Sequence, residues 1–109
     1  MTEPATQQSL NEALDRMWKQ FLPQIEERIG ALEAAGAALA EHRLSEHEQE
    51  AAHAAAHKLA GVLGTFGLTK GTVLAREAEI LYSGDVDPAE TPKLIEIAQQ
   101  LRELIASRT

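Results

Sequence analysis

Apolar side chains recur every three or four residues along most of the chain, which is the spacing of one face of an α-helix. The first such segment begins after Ser9, whose position three residues before Glu12 is typical of a capping box. Pro23 interrupts this segment, and proline is favoured in the first turn of a helix but not in its interior. We therefore expect a short helix before Pro23 and a longer one after it that ends near His42. The apolar positions across both are Leu14, Met17, Trp18, Phe21, Ile25, Ile29, Leu32 and Leu39.

Three further helices are predicted in the remainder of the chain. Their boundaries are marked by capping and helix-breaking residues, namely Ser45 with Glu48, Gly67 with Thr69, Gly84, Asp87 with Pro88, and Thr91 with Pro92. Long amphipathic helices with short connections pack as antiparallel neighbours. The pattern thus predicts an all-α fold, an antiparallel four-helix bundle with a short additional N-terminal helix. This single domain would span residues 9–109, after a flexible N-terminus at residues 1–8.

The composition supports helices packed on helices. Hydrophobic residues make up 44% of the 109 residues but aromatic residues only 4%, whereas β-rich domains favour valine, isoleucine, threonine and aromatic side chains. A chain of this length forms one domain around one core.

Charge and cysteine content exclude several classes of function. The chain has no cysteine, which excludes disulfides, thiolate metal sites and cysteine nucleophiles. Its formal net charge of −7 argues against nucleic-acid binding, which needs a basic surface. No apolar run approaches the ~18 residues of a membrane span, and the N-terminus lacks the basic and then apolar pattern of a signal peptide. We therefore expect a protein of the cytoplasm that binds neither nucleic acid nor a membrane. We also expect it to be a monomer.

The helix that Ser45 opens carries His57 on a face with little side-chain bulk. At about 100° per residue, His53, Gly61 and Gly64 fall within about 40° of His57. The apolar positions of this helix fall roughly 120° to 180° away and are Ala52, Leu59, Leu63 and Phe66. His57 is therefore predicted to face solvent, with space beside it for the close approach of a partner's backbone.

Gly61 has an alternative interpretation. It would end the helix as a left-handed cap, with Lys58 in the last turn, and segments 61–66 and 71–75 would then form a β-hairpin. We favour a continuous helix, because the apolar spacing of Ala56, Leu59 and Leu63 continues through Gly61.

The segment from His57 to Gly67 resembles the phosphorylation motif of histidine-containing phosphotransfer (HPt) domains. The matching residues are His57, Leu59, Gly61 and Gly67, and alanines precede the histidine as in the family. The segment departs from the family pattern at one position. The lysine usually found three residues after the histidine is replaced by Ala60, while Lys58 follows the histidine directly.

This resemblance implies a four-helix bundle that carries a phosphoryl group between proteins. His57 would accept the group from an aspartate of a response-regulator receiver domain and pass it to the aspartate of another, with a hybrid sensor histidine kinase as a further partner. The receiver would supply Mg²⁺, so no cofactor of the chain's own is expected. Kinase and ATPase activity are not expected either, because no G-K-[ST] sequence follows the glycines.

Each predicted site residue has a role in this interpretation. His57 is the phosphoryl acceptor, Lys58 stabilises the phosphoryl charge, and no metal site is predicted. The predicted docking residues are His53, Gly61, Gly64, Lys70 and Arg76. Two alternatives remain: a helical adaptor that does not transfer phosphate, suggested only by Ala60, and a metal-binding bundle that uses His53, His57 and nearby glutamates. The spacing of the two histidines would allow chelation, but it lacks the glutamate of a zincin motif.

Overall fold

The computed structural model describes residues 3–109, with side chains from residue 6 onward. Four α-helices form the bundle: α1 (Glu3–Ala40), α2 (Glu46–Thr65), α3 (Thr69–Leu81) and α4 (Thr91–Arg108), and a 3-10 turn at Pro88–Glu90 precedes α4. No strand occurs within residues 3–109, so the all-α prediction is confirmed and the hairpin interpretation of Gly61 is wrong. Helix α1 packs against α2 and α4, and α3 closes the ring between those two helices.

Helix α1 is continuous through Pro23, and the predicted break at that residue is wrong. The proline removes only the hydrogen bond to the carbonyl of Lys19, and both residues are exposed. On the opposite face, Trp18, Ile25 and Ile29 are buried in one core. Because tertiary packing holds the helix on both sides of the proline, it overrides the local preference for a break. The short additional N-terminal helix is therefore the first part of α1, which ends at Ala40 rather than near His42.

The N-terminal part of α1 extends past the end of the bundle. The indole N–H of Trp18 donates to the hydroxyl of Thr109 at 3.1 Å, and Arg108 pairs with Asp15 at 3.1 Å, so α4 ends level with residues 15–18. Ser9 lies inside α1, which excludes the predicted capping box there. Residues 3–8, assigned from sequence to the flexible N-terminus, belong to α1, and residues 1–2 lie outside the described residues.

The core is made mainly of leucine, isoleucine and alanine. Ala52, Leu59 and Leu63 of α2 are buried as predicted, and Phe66 is half-buried against Trp18, with ring centroids 5.2 Å apart. Met17 and Val73 have helical apolar spacing but are exposed. Val73 therefore lies on the outer surface of α3.

Local signals set the two ends of α2. The backbone N–H of Glu48 donates to the Ser45 hydroxyl, and the N–H of Ser45 donates to the Glu48 carboxylate, both at 3.0 Å, which confirms the capping box. These hydrogen bonds hold the pKa of Glu48 below its usual value. At the other end Gly67 has a φ of +72°. Its N–H donates to the carbonyl of Gly64, and that of Leu68 to the carbonyl of Leu63, which is a Schellman motif. The left-handed cap is therefore Gly67, and Gly61 lies inside the helix.

The cap predictions before α4 have mixed outcomes. The Asp87 carboxylate accepts from the N–H of Ala89 at 2.9 Å and caps the 3-10 turn as expected. The Thr91 hydroxyl instead donates to the carbonyl of Pro88, so Thr91 is the first residue of α4 and does not cap it.

Helices α2 and α3 are antiparallel and in close contact along their length. A Cβ on Gly71 would lie 2.9 Å from Leu63 Cδ1, so a side chain there would require the Leu63 side chain or one of the two helices to shift. Next to it, the Thr72 hydroxyl donates to the carbonyl of Ala60 at 3.1 Å. At the far end the Gln49 side chain donates to the carbonyl of Tyr82 at 2.9 Å. These contacts set the register of α3 against the face of α2 that carries His57.

Candidate functional site

His57 lies in the middle of α2 with its side chain 72% exposed, as the sequence predicts. One edge of its ring contacts α3: Nδ1 lies 2.8 Å from Oε2 of Glu79, whose side chain is only 22% exposed. A carboxylate can only accept a hydrogen bond. We therefore assign the Nδ1 proton to the neutral imidazole, donated to Glu79. The hydrogen bond also holds the ring in one orientation.

The other ring nitrogen of His57, Nε2, is the one that remains free in this arrangement. With the proton on Nδ1, the lone pair of Nε2 is free, and Nε2 has no hydrogen-bond partner within the described part of the chain. The lone pair of Nε2 points roughly opposite to the Nδ1–H bond, and most of the side chain is open to solvent. The pair therefore presents an oriented ring nitrogen with a free lone pair to a molecule that approaches from outside the bundle, which is what a nucleophilic role would require.

Glu79 was not identified from the sequence. Its helix has an acidic residue at Glu77 as well, and in the structure that residue faces α4 and pairs with Lys93 at 3.3 Å. Only the register of α3 against α2, set by Gly71 and Thr72, distinguishes the two carboxylates. The sequence does contain one signal that could have identified Glu79. This residue shares a helical face with Thr72 and Ala75, since residues three and four apart are neighbours.

The predicted cations lie on both sides of His57. Lys58 is exposed and lines a groove between α1 and α2 together with Arg28, on the α1 side of the histidine. Arg76 is exposed on α3 and lines a shallow depression with His53 and Glu79. Lys70 is exposed at the start of α3, near the Gly71 contact, and the structure does not bring it to His57. Across residues 6–109, none of these three predicted cations forms an ion pair.

The two predicted docking glycines have different surroundings. A Cβ on Gly61 would meet no atom within 4 Å, so nothing in the fold requires glycine there. A Cβ on Gly64 would lie 3.3 Å from the hydroxyl oxygen of Thr72, so Gly64 also serves the packing of α2 on α3. Ala60, at the position of the family's usual lysine, is buried in the core. The exposed cation next to His57 in the chain is instead Lys58.

A four-helix bundle with an exposed, carboxylate-oriented histidine in the middle of one helix has the architecture of a histidine phosphotransfer module. The chain belongs to the Hpt domain family, whose profile matches residues 16–107. Hpt domains are phosphocarriers rather than enzymes, and membership supports a histidine phosphotransfer role in a phosphorelay.

A similar protein is protein RcaC of Microchaete diplosiphon, 32% identical over 106 residues. The aligned region covers 95% of this chain and 16% of that protein, so the chain spans about a sixth of the length of this relative. No solved structure matches the chain. None of the helices in residues 3–109 is both long and apolar enough to cross a membrane.

Proposed function

We propose that the protein is a phosphorelay intermediate in which His57 accepts a phosphoryl group from a receiver-domain aspartate and passes it to the aspartate of another receiver. The donor receiver would belong to a hybrid sensor histidine kinase. The observation that carries this proposal is the 2.8 Å contact between His57 Nδ1 and Glu79, which leaves Nε2 free on an exposed ring.

In the forward step the Nε2 lone pair attacks the phosphorus of the aspartyl phosphate. The N–P bond forms as the bond between phosphorus and the aspartate oxygen breaks, and the aspartate leaves as a carboxylate. The imidazole keeps its Nδ1 proton and gains positive charge, which the carboxylate of Glu79 offsets. Transfer onward is the reverse sequence with a second aspartate, and neither step needs an external base.

Phosphoryl transfer depends on positioning and on neutralising the phosphoryl oxygens. In this proposal Lys58 supplies positive charge from the α1 side of His57 and Arg76 from the α3 side, with Lys70 further along the surface. The partner receiver supplies Mg²⁺, and this chain has neither a cofactor nor kinase or ATPase activity of its own. His53, Gly61 and Gly64 lie on the face that the receiver covers. We further propose that the protein acts as a monomer in the cytoplasm.

The experiment is transfer from a panel of purified receiver domains phosphorylated on aspartate. We expect one or more receivers to label the wild-type protein, with a label that is acid-labile and alkali-stable, as a phosphoramidate is. His57→Gln should abolish labelling, and His53→Gln, on the same face one turn earlier, is the matched control. Labelling that persists in His57→Gln would refute the assignment of the acceptor. Incorporation of phosphate from ATP by the purified protein alone would refute the carrier proposal.

A further inference from the structure

Two of the large hydrophobic side chains that are exposed in the structure lie on α3, beside the His57 site. Ile80 is 70% exposed and Val73 is 59% exposed. They are seven residues apart, which is two helical turns or about 10 Å, and Arg76 lies between them on the same face of the helix. We call Val73, Arg76 and Ile80 the α3 stripe. Packing within the bundle does not account for these two apolar side chains, because they point away from the core.

The α3 stripe is continuous with the site. Ile80 follows Glu79 directly in the chain and lines the same depression as His53, Arg76 and Glu79. A partner whose aspartate reaches His57 Nε2 must cover the surface around that atom. A protein interface of standard size buries about 800 Å² on each partner, which corresponds to a disc of about 16 Å radius. Ile80 is the neighbour of Glu79 in the chain, and Val73 lies six residues before Glu79, about 9 Å along the helix, so both are closer to Glu79 along α3 than this radius.

The surface on the α1 side of His57 is more polar than the α3 stripe. It is lined by Gln24, Glu27 and Arg28 of α1 and by alanines and Lys58 of α2, with no large apolar side chain. The buried centre of a protein interface is depleted in charge and contains apolar anchors and arginine. The α3 stripe provides both, and its arginine has no ion-pair partner in residues 6–109.

Building on the proposed function, we infer that the α3 stripe is the docking surface that selects the receiver partner. The partner it fits is a receiver domain that presents an apolar patch next to its phosphorylated, acidic pocket. Ile80 provides the main apolar anchor, Val73 extends it by two turns, and Arg76 pairs with the acidic rim. Its apolar side chains, Val73 and Ile80, act by binding the partner and take no part in the transfer step at Nε2.

The test uses Ile80→Ser and Val73→Ser with the receiver that exchanges phosphate fastest with the wild-type protein. We expect Ile80→Ser to lower the second-order rate constant about tenfold, with a smaller loss for Val73→Ser, because burial of such side chains accounts for about one to two factors of ten in affinity. The rate at saturating receiver should change little. Leu10→Ser is the matched control, because Leu10 is 52% exposed on the part of α1 that extends past the bundle.

Two further measurements separate this inference from the proposed function. The small-molecule phosphoryl donor phosphoramidate phosphorylates an accessible histidine without a partner protein. The rate at which this reagent labels Ile80→Ser should therefore equal that of the wild type. The loss in Ile80→Ser should also persist at high salt, whereas the loss in Arg76→Gln should shrink, because salt screens only the charged contact. Wild-type rate constants in both serine variants would overturn the docking inference and leave the proposed function standing. Failure of every receiver to react with wild-type protein that phosphoramidate does label would overturn both.

Discussion

Replacement of Glu79 tests the role of the carboxylate beside His57. Glu79→Gln keeps an acceptor oxygen for the Nδ1 proton and removes the charge, while Glu79→Ala removes both. The matched control is Glu77→Ala, since Glu77 is an acidic residue on the same helix that pairs with Lys93 instead of the histidine. Both glutamate side chains lie at or near the surface, so the fold should tolerate each of the three changes.

The size of the effect follows from the geometry. In the phosphorylated state the positive imidazole and the carboxylate remain about 3 to 4 Å apart, and two unit charges at 4 Å interact by about 1 kcal/mol in water and about 4 kcal/mol near a protein surface. With the histidine mostly exposed, we take a value near the lower limit, which corresponds to a loss of about five- to tenfold in transfer rate for Glu79→Gln. Glu79→Ala also frees the ring to rotate and to change tautomer, so its loss should reach about 10- to 100-fold.

The assay is the transfer rate from a phosphorylated receiver at saturating concentration, combined with nitrogen NMR of the His57 ring. The wild-type protein and Glu79→Gln should show the proton on Nδ1, and Glu79→Ala should show a mixture of tautomers. A simple loss of structure would not produce that spectral change or the partial rescue by glutamine. If Glu79→Ala transfers phosphate as fast as Glu77→Ala, the positioning role is refuted.

Two further substitutions examine the face around His57. Gly61→Glu should raise the free energy of unfolding by about 0.5 to 1 kcal/mol, because glutamate has the better helix propensity and the Cβ position is open. Its transfer rate should fall sharply, since the new charge lies one turn from His57, and a less stable variant with normal transfer in paired melting and transfer assays would contradict the docking role. Lys58→Ala should slow transfer or shorten the phosphohistidine lifetime about two- to fivefold with an unchanged melting temperature, as expected for one exposed charge. An unchanged rate and lifetime would assign the charge role to Arg76.

The sequence alone predicts those features that depend on one helix at a time. The exposure of His57 follows from the position of Ala52, Leu59 and Leu63 on the opposite face of α2, and the helical state of Gly61 follows from the same spacing. The start of α2 follows from the capping box at Ser45. In each case the physical cause lies within a few residues along the chain, so the pattern of residues is sufficient.

The remaining features depend on contacts between helices. Pro23 fails to break α1 because Trp18 and Ile25 are held in a shared core, and no local pattern reports that. The choice of Glu79 over Glu77 as the partner of His57 depends on how α3 is aligned with α2. The exposure of Val73 has the same origin, since a helix with apolar residues at several angles does not reveal which of them its neighbours cover.

The alignment of α3 with α2 is itself set at a distance from the histidine. Gly71 lies eight residues before Glu79, about 12 Å along the helix, and a Cβ there would lie 2.9 Å from Leu63 Cδ1 in the buried core. Gly71→Ala should therefore displace either the Leu63 side chain or α3 itself at that end, and overpacking of this kind costs about 1 to 3 kcal/mol. The gain in helix propensity of up to about 1 kcal/mol offsets part of that loss.

A rigid-body shift of α3 at Gly71 would also lengthen the 2.8 Å contact between Glu79 and His57. Gly71→Ala is thus expected to lower the melting temperature and the transfer rate together, whereas Gly61→Glu lowers only the rate. The comparison needs a thermal melt, a transfer assay and the NMR signal of the Nδ1 proton on each variant. A destabilised Gly71→Ala protein that keeps the wild-type rate and proton signal would show that the His57–Glu79 pair does not depend on the close approach of the two helices.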